Sequence, residues 1–511
     1  MTVIDRVRTT TTPVPPATAE KVPRRRNARR SLTPLAVGAG AFLLSFVGNW
    51  IPSLWYDETA TVTSATRTWA QLWGEIQHVD AVHALYYSLM HVVFDVVGYS
   101  PLTLRLPSAI AVGVTAALVV VLVRKLASAR VALLSGALFA IMPRVTWMGG
   151  EGRSYALTAM MAIILTLALL TATRSSRRRW WVAYGLLALV SMVLFAYLAF
   201  VIAAHVVTVG LRFAQHRVRR PDALAFAISV VGAVILISPF FGLIHSEKEQ
   251  VAWLPTIDWQ TIRQVYETQW FWGSVAWPLI AWVLLGIGAV RMVRARHTEF
   301  ASFVLPVTFV PTILIVTASS LGEHLYSPRY LTMCTPFVAI TMALGLAWFR
   351  RRWIPIAITV VLVGFGLVHQ VSAQRIVEAK NQSSWSEVAD GLAAHRAQLD
   401  DDGRAAIIYG PVLGHPAATS RVIEYGYPSA FANTTDVTLG TPASETGQLW
   451  ETHRSIASSI SRIQSDDVAY LVTSTKQDRR QSTLALLSSL GWHETNQWHY
   501  TGVNVVRYVS G

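Results

Sequence analysis

From about residue 34 to residue 371 the chain repeats one pattern: an apolar run of span length, then a short cluster of basic residues. A helix needs about 20 apolar residues to cross a bilayer, and in hydrocarbon every backbone N–H and C=O must be satisfied internally. Runs of this kind leave the chain one economical solution, a bundle of membrane helices. Only 14% of the 511 residues are charged, against about a quarter in soluble domains.

The formal net charge of +14 would suit nucleic acid, but the positive residues come as clusters beside apolar runs. They are "KVPRRRNARR" before the first run, "VRKLASAR" at 123–130, "TRSSRRR" at 173–179, "RFAQHRVRR" at 212–220, "RMVRARH" at 291–297 and "FRRR" at 349–352. Such spacing sets orientation in a membrane and argues against a nucleic-acid partner. Each cluster is expected at the cytoplasmic side, with two spans between successive clusters. The expected spans, about eleven, lie near 34–53, 103–123, 131–148, 155–172, 180–196, 198–213, 223–245, 274–292, 300–320, 329–348 and 353–371. An odd number with the N-terminus inside places the C-terminus outside the cytoplasmic membrane.

Residues 1–33, rich in Thr, Pro and Arg, read as a disordered basic cytoplasmic tail ahead of an uncleaved anchor, a cleaved signal peptide being the competing reading. The single cysteine, Cys334, excludes an intrachain disulfide and a cysteine metal cluster. Between the first two spans, "TVTSATRTWAQLWGEIQ" and "HALYYSLMHVVFDVVG" read as amphipathic helices along the outer interface. Making the second a span would turn "VRKLASAR" outward.

Beyond residue 373 the composition changes. "SSWSEVADGLAAHRAQL" has helical spacing, with Trp385, Val388, Leu392 and Ala393 on one face. "AAIIYG", "VAYLVTS" and "VNVVRYV" read as strands, and "RRQSTLALLSSLG" as a helix stopped by Gly491. The acidic "LDDDG" reads as solvated surface. The expected fold class is therefore mainly α: a polytopic membrane domain over 34–373 with an extracytoplasmic α/β domain over 374–511.

Ionisable residues gather on the outer side. Asp57 and Glu58 follow the first span in "WYDETAT"; Asp80 and His83 stand in "HVDAVHALYY". Glu151, Arg153 and Tyr155 fill "WMGGEGRSYAL", while His324, Tyr326, Arg329 and Tyr330 belong to "LGEHLYSPRYL". Arg105 opens the second span. Each alone is readily a solvated loop charge, and "DETAT" suits a helix first turn. Arginines kept on the outer side run against the basic bias, however, and their forked donors suit phosphate. Adjacent side chains diverge on any regular structure, so Asp57 and Glu58 are expected to have different tasks. Trp253, Trp259, Trp270 and Trp272 in the loop 246–273 read as an interfacial belt or as stacking surfaces for a sugar or prenyl chain.

The order "WYDE", "DAVHALYYSLMHVVF", "GYSPLTLRLPSAI", "EGRSYAL" and "YSPRYL" resembles the membrane glycosyltransferases of the GT-C class. The nearest branch is that of the protein O-mannosyltransferases and the lipid A aminoarabinose transferase. The resemblance covers roughly residues 34–371 and implies transfer of a sugar, mannose ahead of arabinose, from a polyprenyl-phosphate donor. The acceptor it implies is a glycan, glycolipid or protein outside the cytoplasmic membrane. It carries the catalytic base onto Asp57, with Glu58 as the adjoining acid. Where many relatives have two prolines, this chain has His83 and Ala84, which weakens any acceptor assignment by analogy.

A polyprenyl phosphate is a good leaving group, so the reaction needs a base for the acceptor hydroxyl and positive groups for the phosphate. Asp57 is the expected base, with some of Arg105, Arg153 and Arg329 as phosphate ligands. A divalent cation (Mg, Mn or Ca) held by Asp57 or Glu58 with Glu151 or His83 is a further expectation. The rival readings are a transporter or lipid-linked-sugar flippase, and a scaffold presenting the C-terminal domain; the lack of repeated halves weighs against the first.

Overall fold

The computed structural model describes residues 25–247, 249, 254, 256–294, 298–399, 405–415, 417–463 and 468–511. The first 24 residues of the expected tail, Trp253, and Asp400–Asp402 of "LDDDG" lie outside the described residues.

Every expected span falls on a helix. In chain order the helices are α1 (Arg25–Phe46), α2 (Tyr56–Ala65), α3 (Trp69–Ile76), α4 (Ala84–Val97), α5 (Pro101–Leu126), α6 (Ala129–Ile141), α7 (Pro143–Met148), α8 (Tyr155–Ser175) and α9 (Arg178–Leu194). Then follow α10 (Ala199–Ala214), α11 (Arg220–Ser246), α12 (Trp259–Arg263), α13 (Ala276–Arg294), α14 (Thr298–Ser320), α15 (Thr335–Leu346, entered through a 3₁₀ turn at Pro328–Cys334) and α16 (Trp353–His369). Among the described residues, 8 helices are long and apolar enough to cross a membrane. The runs at 34–53, 131–148 and 180–196 give shorter apolar helices, each for a local reason. The chain turns at Val47–Trp50. Pro143 cannot donate the next helical hydrogen bond, so α6 stops and α7 restarts after an extended Met142. Extended Phe195 then separates α9 from α10. At the other end of the first run, helix α1 begins at Arg25, so part of the expected tail is helical.

Capping fixes where the long helices start. Ser100 and Thr103 form a reciprocal capping box ahead of α5, with Pro101 in its first turn and Arg124 and Lys125 in its last. Because successive spans alternate in direction, the basic clusters meet at one end of the bundle. There Arg174 of α8 pairs with Glu299 of α14 at 3.0 Å and donates to the Lys125 carbonyl at 3.2 Å. The opposite end carries α2–α4 and the C-terminal domain.

The first outer segment differs from expectation. "TVTSATRTWAQLWGEIQ" is two helices, because Thr68 caps α3 with its own capping box and so breaks the run. Far from lying on lipid, α2 is buried from Asp57 to Ala65. By contrast α4 keeps one exposed apolar edge at Val92, Val96 and Val97, as an interfacial helix should.

The C-terminal domain has α17 (Trp385–Arg396) and five strands, β1 (Ala405–Tyr409), β2 (Thr434–Asp436), β3 (Val468–Ser474), β4 (Trp492–Tyr500) and β5 (Val503–Ser510), ordered β2-β1-β3-β5-β4. β1 runs parallel to β2 and β3; β5 is antiparallel to β3 and β4. The three apolar runs form β1, β3 and β5. The two edges, three-residue β2 and polar, bulged β4, carry no apolar run to announce them. On α17, Ala389 is buried and Ala393 exposed, a small rotation of the expected face.

Helices α13 and α15 cross with backbones nearly touching. A Cβ on Gly288 would stand 2.0 Å from the Thr341 carbonyl oxygen, and one on Gly345 would stand 2.1 Å from that of Leu284. Two residues earlier, a Cβ on Gly286 would meet nothing within 4 Å. Alanine improves helix propensity by about 1 kcal/mol, while overpacking costs about 1–3 kcal/mol. Gly288→Ala should therefore lower the unfolding temperature of the detergent-solubilised protein by several degrees. Gly286→Ala should hold or raise it; equal shifts in thermal unfolding would refute this packing account.

Candidate active site

The site is built around the segment that leaves α1 and enters α2. Trp55 is extended (φ −137°, ψ 176°), and helix geometry begins at Tyr56, so Asp57 and Glu58 share the first turn with side chains on different faces. Glu58 turns inward. Arg105 Nε and Nη2 donate to its two carboxylate oxygens at 2.8 and 2.7 Å, and the Gly152 N–H adds a bond of 2.9 Å. The remaining Arg105 donors go to the carbonyls of Asn49 (2.6 Å), Pro52 (2.9 Å) and Ser53 (3.1 Å). Arg105 thus has all five N–H groups engaged and is fully buried. With its five donors and both Glu58 oxygens taken within the chain, the pair ties down the turn into α2 and leaves no free group for the expected roles of phosphate ligand and second catalytic acid.

Lys380 completes this inner cluster. Its ammonium lies 2.5 Å from Glu151 Oε2, 2.6 Å from the Gly150 carbonyl and 3.4 Å from Glu58 Oε1, while Trp55 Nε1 donates to Glu151 Oε1 at 2.6 Å. Burial opposes ionisation of Glu58, but Arg105 and Lys380 outweigh it and hold this carboxyl below the ordinary range. For Glu151, burial and the neighbouring Glu58 outweigh Lys380 and push it up. The Nζ sits between two carboxylates, where a bridging cation would have to go. Among the described residues no group of three or more His, Cys, Asp or Glu could hold a metal ion. The carboxylates expected to bind a divalent cation are already neutralised by the chain's own ammonium and guanidinium, and do not fit one.

Asp57 turns the other way. Its Oδ2 accepts from Arg329 Nη1 at 2.6 Å, and the pair keeps 13% and 18% side-chain exposure where Glu58 and Arg105 have none. Arg329 also lies over the rings of Trp55 (5.4 Å) and Tyr330 (5.7 Å). Arg153 stands within electrostatic reach of Asp57 and Asp80 and donates to Tyr87 Oη at 2.8 Å; that hydroxyl donates on to Asp80 at 2.7 Å. Asp80 adopts a left-handed conformation (φ 58°), and burial pushes its carboxyl up against the opposing pull of Arg153. Burial, then the positive fields of Arg153 and Arg329, push His83 well below the ordinary imidazole range. His83 Nδ1 and Arg153 Nε are buried with no hydrogen-bond partner among the described residues.

An aromatic wall adjoins these charges. Tyr155 lies 5.7 Å from Trp147 and 6.4 Å from Tyr330, and Tyr330 lies 4.9 Å from Tyr197. Tyr326 and His324 are turned to structure: Tyr326 donates to Gln269 (3.3 Å), and His324 Nδ1 is 2.6 Å from the Leu254 carbonyl. Of the tryptophans, Trp259 is exposed, Trp270 buried, and Trp272 packs 5.9 Å from Trp147. Sequence reading misses Lys380, which lies past the boundary assigned to the membrane domain, and Arg144, hidden inside an expected span. Arg144 donates to the carbonyls of Gln269 and Thr268 and covers Trp147 at 4.8 Å. The left-handed Asn381 and Gln382 (φ 52° and 56°) that follow Lys380 carry no signature in the sequence.

Set against known structures, the architecture is familiar. ArnT from Cupriavidus metallidurans in the apo state superimposes with a TM-score of 0.61 at 13% identity, over 94% of this chain and 98% of ArnT. The undecaprenyl phosphate-bound form of ArnT gives 0.55. The chain has the GT-C fold. The arabinofuranosyltransferase AftD from Mycobacteria shares it, with a TM-score of 0.51 at 15% identity over 94% of this chain and 40% of AftD. Within this GT-C fold, residues 83–242 match the family described as dolichyl-phosphate-mannose-protein mannosyltransferase, a match that begins after α2 and leaves most of the chain outside it. No curated protein matches the chain in sequence.

The inner ion cluster makes a stability prediction. Breaking a buried ion pair by removing one partner costs about 3–5 kcal/mol. Lys380→Met should destabilise the protein on that scale, and Lys380→Met/Glu151→Gln should recover much of the loss in a double-mutant cycle. A carboxyl whose folded value is raised contributes most below the unfolded value and loses that contribution as pH rises through the folded one. The defect of Lys380→Met should therefore shrink toward acid pH. A pH-independent loss in thermal unfolding would contradict it.

Proposed function

We propose that the protein is an integral membrane glycosyltransferase that moves a sugar from a polyprenyl-phosphate donor to an acceptor hydroxyl, with Asp57 as base. The observation that carries this reading is the partly exposed pairing of Asp57 with Arg329, beside His83 Nδ1 and Arg153 Nε, which have no hydrogen-bond partner among the described residues. Buried polar atoms without partners cost free energy, and a ligand rich in oxygen supplies what they lack. The fold supports the same reading, since ArnT was solved with undecaprenyl phosphate.

The acceptor oxygen attacks the anomeric carbon as its proton passes to the Asp57 carboxylate. The bond from that carbon to the phosphate oxygen breaks, and its electron pair leaves with the polyprenyl phosphate. Attack opposite the leaving group inverts the anomeric centre. Arg329, held over Trp55 and Tyr330, turns from Asp57 to the donor phosphate and so frees the base as the donor arrives. Arg153 stabilises the charge growing on the same phosphate. The aromatic wall of Tyr155, Tyr330 and Tyr197 offers apolar surface to the sugar or the first prenyl unit.

The site lies at the end of the bundle opposite the basic clusters. Together with the positive-inside rule, this supports a reaction and a C-terminal domain outside the cytoplasmic membrane, with the N-terminus inside. Mannose is favoured over arabinose, as the family match to mannosyltransferases suggests, and a glycan, glycolipid or protein is the acceptor.

Incubating the purified protein with a panel of polyprenyl-phosphate sugars should show consumption of one donor; inertness toward all of them would overturn the proposal. Asp57→Asn should lower turnover about 10²- to 10⁴-fold, the usual worth of a general base, while retaining donor binding. Wild-type turnover in that variant would remove Asp57 as base. Arg329→Gln and Arg153→Gln should each weaken donor binding about tenfold or more, read by competition with undecaprenyl phosphate.

A further inference from the structure

The C-terminal domain holds a crevice that the transfer reaction leaves unused. β1 is followed along the chain by β2 on one side and, after a return, by β3 on the other, so the strand order reverses between β1 and β3. In open sheets such a reversal sends the connections apart at the carboxyl ends of the strands and leaves a crevice there in which ligands bind. A cavity of about 330 Å³ occupies this position, within the range of small-molecule sites, about 300–1,000 Å³. Gly410 and Pro411 at the end of β1 form its base, Arg454 and Ser455 come from the connection into β3, and Arg479 and Ser482 come from the helix that follows β3.

The charge of this crevice is one-sided. Among the described residues its lining holds two arginines and His453 but no carboxylate. Among the described residues the ion pairs of this domain engage Arg421 and Arg480, not Arg454 or Arg479. Arg421 beneath it is committed to Asp436 and Glu451. Arg454 has one donor on the Leu439 carbonyl (3.1 Å), which aligns its guanidinium and leaves the rest of the fork for a ligand. Hydroxyls of Thr419, Ser455 and Ser482 complete the lining. Glu451, which reaches the lining at Thr419, is already paired with Arg421, and Asp478 with Arg480, so the free forks of the lining match the oxygens of phosphate.

We propose that this crevice is a second ligand site, distinct from the membrane-level site, which binds a small phosphomonoester through Arg454 and Arg479. The loop that bounds it also reaches the membrane domain: Thr419 lines the crevice, while His415 stacks on Tyr56 with 3.5 Å between ring centroids. A ligand here therefore sits one loop away from the residue next to Asp57.

Calorimetric titration of the full-length protein in detergent with inorganic phosphate, mannose 1-phosphate and mannose tests this without any transferase assay. Saturable binding of mannose 1-phosphate, with phosphate as a weaker competitor and mannose inert, is expected. Arg454→Gln/Arg479→Gln should weaken it at least tenfold, and Ser482→Trp, which fills the crevice and keeps its charge, should abolish it. Arg329→Gln, in the membrane-level site, should leave it unchanged. All three crevice positions are exposed, and circular dichroism will confirm that the variants fold. Absence of binding, equal binding of mannose, binding indifferent to the crevice variants, or loss in Arg329→Gln would each overturn the proposal.

Discussion

The bidentate bond between Glu58 and Arg105 is the constraint from which the site follows. Both side chains are fully buried, and a buried charge is tolerable only when its partner and its remaining hydrogen bonds are all in place. Arg105 meets that condition by collecting the carbonyls of Asn49, Pro52 and Ser53. These are the backbone groups of the turn between α1 and α2, which have no helix to satisfy them. One guanidinium therefore neutralises Glu58 and ties down the turn that precedes it. Because neighbours on a helix point about 100° apart, fixing Glu58 inward directs Asp57 to the face where Arg329 waits.

The inner cluster and the outer pair divide the chemistry between them. Glu58, Glu151, Lys380 and Arg105 are tied to one another by buried ion pairs. Asp57 and Arg329 keep partial access and can separate. Two adjacent carboxylates thus meet different surroundings, Glu58 locked inside the bundle and Asp57 partly open. His205, the histidine buried in the middle of the bundle, belongs with the anchors: Thr166 and Tyr184 satisfy its two ring nitrogens at 3.0 and 2.9 Å.

Much of this is legible in the amino-acid sequence, and what is not shares a cause. Apolar length and basic punctuation locate the spans, because a bilayer imposes them residue by residue. Divergence of neighbouring side chains gives Asp57 and Glu58 separate tasks. What pattern cannot supply is the partner of each charge. Arg105 reads as a free outer arginine until its five donors are counted, and Lys380 reads as part of another domain until the chain folds back 229 residues to Glu151. The break of the first outer segment at Thr68 is visible as "TRTWAQ", yet the amphipathic run on either side outweighs it. Polar edge strands such as β4 leave no apolar run, because only isolated side chains such as Trp492 and Trp498 reach a core.

The C-terminal domain is held to the membrane domain through the same short segment. Tyr427 Oη accepts from the Leu54 N–H at 2.8 Å, Trp450 Nε1 donates to Tyr56 Oη at 2.5 Å, and His415 stacks on the Tyr56 ring with planes 4° apart. On the far side of α2, Arg67 donates to the Gln448 carbonyl at 2.7 Å, and Tyr99 to that of Gly426 at 2.7 Å. Asp57 is therefore bracketed, with Glu58 anchoring it from within the bundle and Tyr56 from the domain above. A helix of 10 residues is too short to hold its own shape in water, and α2 exists because these two bodies close on it. Burial that raises the Tyr56 hydroxyl to about 12 keeps that group neutral, so its bond to Trp450 adds no charge beside Asp57. The domain that sequence marks as separate is, physically, one wall of the site.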